Sequence, residues 1–378
     1  MNLKKIKYNH YINYTILGLF TIIFGLMSIF GNLDGSLLFL FEKIAISVIL
    51  AVSLSLVVGF LGELSLGHAG FMCVGAYIGG KISALLVPTL GNGILAFIIS
   101  LIVGAGVAAL CGVIIGIPAL RLRGDYLAIV TLAFGEIVKS LFQNTSDATF
   151  GGALGLSTPR YDKKYLFIFA FVLVLFTLAI VQNFIRSKHG RAVTAIRDNE
   201  IAARATGINV TKYKLITFTL SAAFAGIAGV LYSYSNYTVQ SAKFGYNYSI
   251  EILVMVVLGG MGTINGSIIA ATLITFLNTK LATVLTGDLA VLQNLFYAVI
   301  LILIVNYNNA PALKNFRDRY NFAALWRKIF RHQDPAKVKD DTLKWDVVPT
   351  KIEMNEVLSV DLQVSSPYTP DKADKEDK

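Results

Sequence analysis

The sequence is short of charge. Only 15% of its 378 residues are Asp, Glu, Lys or Arg, against about a quarter in an ordinary soluble domain, and that scarcity argues against a soluble fold. Cysteine is scarcer still. Cys73 and Cys111 sit in apolar runs without CxxC or metal-ligand spacing, so they read as small core residues and leave the redox compartment open. A complete nucleotide motif is also missing. Gly75-Ala-Tyr-Ile-Gly-Gly-Lys-Ile82 approximates the phosphate loop GxxxxGK[ST]. It puts Ile82 where the magnesium-binding hydroxyl belongs, and it lies in an apolar span rather than between a strand and a helix. Hydrolytic chemistry finds no support, because Ser65 and His68 lack an oriented third group and an oxyanion site. The adjacent carboxylates Asp340 and Asp341 fall in a charged tail, not in a magnesium-binding cluster. No catalytic residue, no metal ligand and no enzyme activity are expected of this chain.

What the chain has is hydrocarbon: 55% of its residues are hydrophobic. Apolar stretches of about 17 to 25 residues, enough to cross roughly 30 Å as a helix, recur along it. They predict an all-α polytopic membrane protein with about eight full transmembrane helices, near residues 15–30, 44–61, 68–87, 93–117, 126–143, 165–185, 215–235 and 290–307. The first is read as an uncleaved span, since no small-x-small cleavage site follows Phe30. Domain boundaries follow: a cytoplasmic N-terminus at 1–14, a permease domain at 15–307, a basic amphipathic segment at 308–334 and a charged tail at 335–378.

A net charge of +10 suggests nucleic acid until its distribution is read. Lys4, Lys5, Lys7, Arg121, Arg123, the basic cluster from Arg186 to Lys214 and another from Lys314 to Arg331 fall on one side of the predicted topology. Arg160, Lys163, Lys164 and Lys243 fall on the other. This is the positive-inside pattern, so no nucleic-acid partner is expected and both termini are placed in the cytoplasm. Parity then constrains 250–286. Eight spans return the chain to the cytoplasm, so this extra apolar region must enter and leave by the external side. Its centre holds Gly259, Gly260, Gly262, Thr263 and Gly266, residues that favour a broken helix, and broken backbone in a membrane must be satisfied by protein or a polar cavity. A glycine-broken re-entrant pair of half-helices is predicted.

Two further segments carry candidate chemistry. In Ser65-Leu-Gly-His-Ala-Gly-Phe71, Ser65 and His68 read either as part of a translocation path or as polar groups satisfied within the protein. The glycine breaks at 59–70 and 259–266 echo each other, as inverted repeats do at a substrate path, and equally as small residues do in close helix packing. The longest polar stretch between spans, 186–214, reads as a cytoplasmic helix. Arg191 to Thr206 contains no glycine or proline and stops at Gly207, a residue favoured at a helix C-terminus. Glu200 and Arg204 stand at the favourable four-residue spacing, and Arg197 precedes Glu200 by three. Ala192, Ala195, Ile196, Ala202 and Ala203 share one face, small enough to sit close in a partner's groove. A solvated loop helix is the plain alternative.

Four segments taken together resemble the branched-chain amino acid ABC transporter permease family, specifically the larger of its two paired permeases. They are Ala51 to Phe71 with its Gly-Glu-Leu-Ser-Leu-Gly-His-Ala-Gly core, Leu120 to Ile137, Gly190 to Glu200, and Leu258-Gly-Gly-Met-Gly-Thr263. The resemblance implies a bacterial inner-membrane importer whose other parts are a second permease, two ABC ATPase subunits and an external solute-binding protein, with membrane lipid around this chain. It implies no cofactor on this chain, with ATP and magnesium bound by the ATPases. It further implies that Arg191, Ala195, Arg197, Asp198, Asn199, Glu200, Ala202, Ala203 and Gly207 form the segment that couples to an ATPase. Branched-chain amino acids are the expected solutes. The tail at 335–378 and the loose match at Thr149 to Gly155 depart from the family pattern. Urea or short amides on the same architecture, or an ion-coupled carrier using Glu136 and Lys139, remain alternatives.

Overall fold

A computed structural model describes residues 34–284, apart from positions 92, 123 and 160–162, together with scattered positions at 18–28 and 298–302. The chain divides at Val305, and every described residue belongs to the first unit, Met1–Val305. At the centre stands α1 (Gly35–Ser55), continued by a π-helical turn at Leu56–Leu61. From Ala45 to Leu56 every residue is buried. A helix apolar on all sides has no polar face to offer water or headgroups, and it takes the middle of the bundle. Against it pack α5 (Lys163–Arg186), α8 (Val210–Ser235), α9 (Tyr246–Gly259) and α10 (Ile264–Val284), and α2 (His68–Leu90) packs on α8.

The outer helices α3 (Ile94–Ala119) and α4 (Asp125–Gln143) complete the body. Small residues decide how closely they approach. On α3 the buried positions Ser100, Gly104, Ala108, Gly112 and Gly116 recur every four residues, which is one line along a helix face. That line meets α8: a Cβ on Gly226 would lie 2.5 Å from Ala108 Cβ, and one on Gly112 would lie 2.7 Å from Ala222 Cβ. Between α2 and α8 the fit is tighter still, since a Cβ on Gly229 would stand 2.1 Å from the Met72 carbonyl oxygen. Helices in lipid gain little from apolar burial against one another, so close backbone contact through small residues supplies the attraction.

Six helices among the described residues are long and apolar enough to cross a membrane: Gly35–Leu61, His68–Thr89, Ile94–Ala119, Tyr165–Arg186, Val210–Ser235 and Ile264–Thr283. The all-α polytopic expectation holds, apart from a two-residue ladder pairing Leu156 with Val239 and Ser157 with Thr238. The count of eight is not reached. The span expected at 126–143 is helical but is not among the six, and it carries the Glu136–Lys139 ion pair. The spans expected at 15–30 and 290–307 fall largely outside the described residues, as do the segments 1–14, 308–334 and 335–378.

The region 250–286 breaks at the glycines, as expected, but not into equal halves. Helix α9 has 14 residues, whereas α10 has 21, enough by length to cross alone. Gly260 and Gly262 take left-handed φ values of 89° and 83°, a conformation open to glycine and costly for other residues. The Thr263 hydroxyl donates to the carbonyls of Gly259 and Gly260 at 2.7 and 2.8 Å, satisfying acceptors that the break would leave bare. The two helices then run back along each other, and Asn278 Nδ2 donates to Glu251 Oε1 at 3.0 Å.

Candidate coupling site at two helix breaks

The polar stretch after α5 is not one helix. It forms α6 (Lys188–Asp198) and α7 (Glu200–Ala205), separated by Asn199 in an extended conformation. The absence of glycine and proline predicts a single helix through Arg191 to Thr206. Asn199 breaks it by another route: its side-chain oxygen accepts from the backbone N–H groups of Ile201 and Ala202, both at 3.0 Å. Asparagine competes with the helix for such donors and so starts helices rather than continuing them. Ser187 does the same for α6, accepting from His189 and Gly190. At the far end Gly207 adopts a left-handed φ of 85°, the C-terminal stop read from the sequence.

The small-residue face turns inward. Ala192 is buried, and Ile196 and Ala203 are buried with Val193 in a cluster completed by Leu61 and Val210. Ala195 is half-buried and packs against that cluster, while Ala202 is exposed. The face expected to meet a partner thus docks largely onto this chain's own π-helical turn. Arg191, Asp198, Asn199 and Ala202 remain on the outside, where Ile201 stands 76% exposed.

Charge ties this segment to the two helix breaks. Arg197 Nη1 donates to the Gly59 carbonyl at 3.1 Å, while its Nη2 meets Asp198 Oδ1 at 2.9 Å. Gly62 ends the π-helical turn with φ 79°, and a Cβ there would lie 2.7 Å from Arg197 Cγ. On the other side of Gly59, an added Cβ would stand 2.5 Å from the backbone nitrogen of Gly262. The breaks at 59–62 and 260–262, 200 residues apart in sequence, therefore touch backbone to backbone with Arg197 beside both. Gly262 and Thr263 also border a cavity of ≈220 Å³ together with Phe60 and Arg186. Gly259 packs against Gly266 so closely that a Cβ on it would be 2.4 Å from the Gly266 carbonyl carbon.

Behind this contact lies a second ionic group. Lys214, 3% exposed near the start of α8, donates to Glu63 at 2.5 Å and to Glu200 at 3.2 Å. Glu200 also receives Arg204 at 2.9 Å, the four-residue pair read from the sequence. Arg197 and Glu200, expected as neighbours on one helix, are instead separated by the Asn199 break and serve different partners. Sequence pattern alone does not single out Lys214. Two lysines, Lys212 and Lys214, inside the first turns of an apolar helix are the available signal, since a charge buried there must find a counter-charge.

Ser65 and His68 occupy a different environment. Both are buried, at 2% exposure. His68 Nε2 shares a hydrogen bond of 2.8 Å with Ser53 Oγ on α1, and Ser221 Oγ donates to the Ser53 carbonyl. The neighbouring glycines serve packing: a Cβ on Gly67 would lie 2.3 Å from the Thr131 carbonyl oxygen, and one on Gly70 would lie 2.8 Å from Gly135 Cα. These two residues are not brought together with Arg197 and Glu200. His68 is thus hydrogen-bonded within the protein at a helix junction.

The same glycine breaks and the polar segment 186–214 fall within a known family pattern. The profile described as "Branched-chain amino acid transport system / permease component" matches residues 36–305. The chain belongs to this permease family. It is 39% identical over 261 residues to the high-affinity branched-chain amino acid transport system permease protein LivM of Escherichia coli (strain K12), and 38% identical over the same length to LivM of Salmonella typhimurium. Each match covers 61% of this chain and 60% of the relative, so the alignment spans about three fifths of those permeases. It is also 28% identical over 292 residues to the ribose import permease protein RbsC of Escherichia coli (strain K12), covering 71% of this chain and 84% of the relative. No solved structure matches.

Proposed function

We propose that this chain is the permease subunit of an ATP-binding-cassette importer that passes branched-chain amino acids across a bacterial inner membrane, with ATP hydrolysed by partner subunits. The observation that carries the reading is the convergence of α6 and α7 on both glycine breaks. A push on α6 reaches Gly59 and Gly262 through Arg197, and a push on α7 reaches α8 and Glu63 through Glu200 and Lys214. In this reading Asp198, Asn199, Ile201 and Ala202 face an ATPase, because they form the outer surface of the segment. Both termini and α6–α7 lie on the cytoplasmic side, while α9 and α10 enter from and return to the outside. The antiparallel course of those two helices and the Glu251–Asn278 bond near their open ends support that re-entrant arrangement.

The mechanism needs no bond chemistry on this chain. ATP-driven closure of the partner subunits displaces α7, and the ion pairs and close glycine contacts pass that displacement to α1, α8 and the α9–α10 turn. A second permease completes the pathway, and an external binding protein delivers the solute. The experiment is uptake into vesicles holding the chain with a partner permease, two ATPases and the binding protein. Joint charge reversal, Arg197→Glu with Glu200→Lys, is expected to abolish ATP-driven leucine uptake. Unchanged uptake would refute the coupling role, and uptake without any ATPase would favour an ion-coupled carrier.

The match to a ribose permease covers more of both chains than the LivM matches do, and it favours a sugar as the second reading of the solute. Parallel uptake of leucine, urea and ribose by the same vesicles decides between these solutes.

A further inference from the structure

A second cavity, of ≈340 Å³, lies far along the same helices from the coupling contact. It is bordered by Lys43 and Ser47 of α1, Lys243 of the short turn Ser241–Phe244, Glu251 of α9, and Thr275 and Asn278 of α10. Its size falls in the range of small-molecule sites. Nothing in the coupling site uses these residues.

The polar groups here are only partly matched to one another. Lys43 and Glu251 carry opposite charges into one cavity, yet among the described residues neither Lys43 nor Lys243 is ion-paired with Glu251. Lys43 Nζ rests over the Phe39 ring, 4.6 Å from its centroid, and Glu251 accepts from the Asn278 amide. Thr275 is 7% exposed, and its buried hydroxyl has no hydrogen-bond partner among the described residues. A buried hydroxyl without a partner is uncommon and calls for an explanation. Ile46, Phe244 and Ala282 supply apolar wall beside these groups.

A ligand with one charge would leave the opposite protein charge unanswered, and a neutral sugar would answer neither. A ligand carrying a carboxylate and an ammonium on one small frame answers both and can reach the Thr275 hydroxyl. We propose that this cavity binds an α-amino acid zwitterion, its carboxylate toward Lys43 and Lys243, its ammonium toward Glu251 and Thr275, and its side chain against the apolar wall. The site's placement on the solute's route rests on the permease reading above. Its charge pattern does not.

The test uses full-length protein in lipid nanodiscs. Thr279→Cys, on the cavity wall, combined with Cys111→Ala, reports occupancy through its rate of labelling by N-ethylmaleimide. L-leucine at ten times its dissociation constant is expected to slow labelling about tenfold. 4-Methylpentanoate lacks the ammonium, 3-methylbutylamine lacks the carboxylate, and ribose lacks both; none of them is expected to protect. Glu251→Gln and Lys43→Gln, each added to the labelled variant, are expected to remove protection, read as the ratio of labelling with and without leucine in that same variant. Binding of radiolabelled leucine to the unmodified chain, competed by the same compounds, reads the same occupancy without the engineered cysteine.

Absence of protection by leucine, equal protection by a single-charge analogue or by ribose, or full protection in both charge variants overturns the site. ATP-driven uptake by the wild-type assembly is measured separately. Leucine uptake without protection rejects the cavity and keeps the permease reading. Protection without branched-chain amino acid uptake keeps the cavity and rejects that reading.

Discussion

Arg197 on α6 holds the carbonyl of Gly59 on the π-helical turn at 3.1 Å, joining residues 138 apart in sequence. A π-turn leaves its carbonyls out of α-helical register and frequently marks a functional site. Here one of those carbonyls is answered by the segment that the permease reading exposes to an ATPase. Arg197→Ala is expected to cost stability only modestly, about 1 kcal/mol for a lost hydrogen bond, yet to separate ATP hydrolysis from uptake. ATPase rate and leucine uptake measured on the same vesicles check this: hydrolysis persists while uptake falls. Equal loss of both would mean that the assembly itself had failed.

Lys214 makes the opposite prediction, because its charge is buried. Lys214→Met leaves Glu63 and Glu200 without their shared cation, and breaking a buried pair from one side costs about 3 to 5 kcal/mol. A marked drop in thermal unfolding temperature in detergent is the expected result. Glu63→Gln added to Lys214→Met removes one orphaned carboxylate and is expected to recover part of the loss. A double variant no more stable than the single would show that the pair is not energetically coupled.

Gly59→Ala tests the meeting of the two breaks. The new Cβ would stand 2.5 Å from the Gly262 backbone nitrogen and 3.1 Å from its Cα, and backbone cannot rotate aside as a side chain can. Separation of α1 from the α9–α10 turn is expected, at about 1 to 3 kcal/mol for overpacking. Thermal unfolding reads the stability, and crosslinking between cysteines placed at Phe60 and Ile264 reads the separation through a lower yield. An unchanged yield would show that the contact relaxes locally.

Asn199→Ala removes the cap of α7. Loss of an N-terminal cap costs about 1 kcal/mol, concentrated on the six-residue helix it starts. Faster hydrogen exchange at the amides of Ile201 and Ala202 is expected, with α8 unchanged. Exchange rates that stay equal would place the source of the break elsewhere than in the asparagine side chain.

The apolar spans, the glycine breaks and the Glu200–Arg204 pair are legible in the sequence, because each depends on residues near one another along the chain. Their meeting is not. Nothing local announces that Gly59 faces Gly262, or that Lys214 reaches back to Glu63, since these contacts are set by how helices pack. The inward turn of Ala192 and Ala203 escapes the sequence for the same reason: a small-residue face looks alike whether it covers its own chain or another. Asn199 is legible in principle. Its capping chemistry is local, but the lack of glycine and proline around it points to an unbroken helix.

The line of small residues on α3 has a mechanical consequence. Large interlocking side chains hold two helices in register, since each must leave one hole before it enters the next. The seam of Gly104, Ala108 and Gly112 against α8 offers little to lift out. Displacement of α8 along α3 is then resisted by backbone proximity rather than by rotamer changes, which gives a sliding bearing. Filling it, for example by Ala108→Leu, would act as a brake on displacement of α8 along α3.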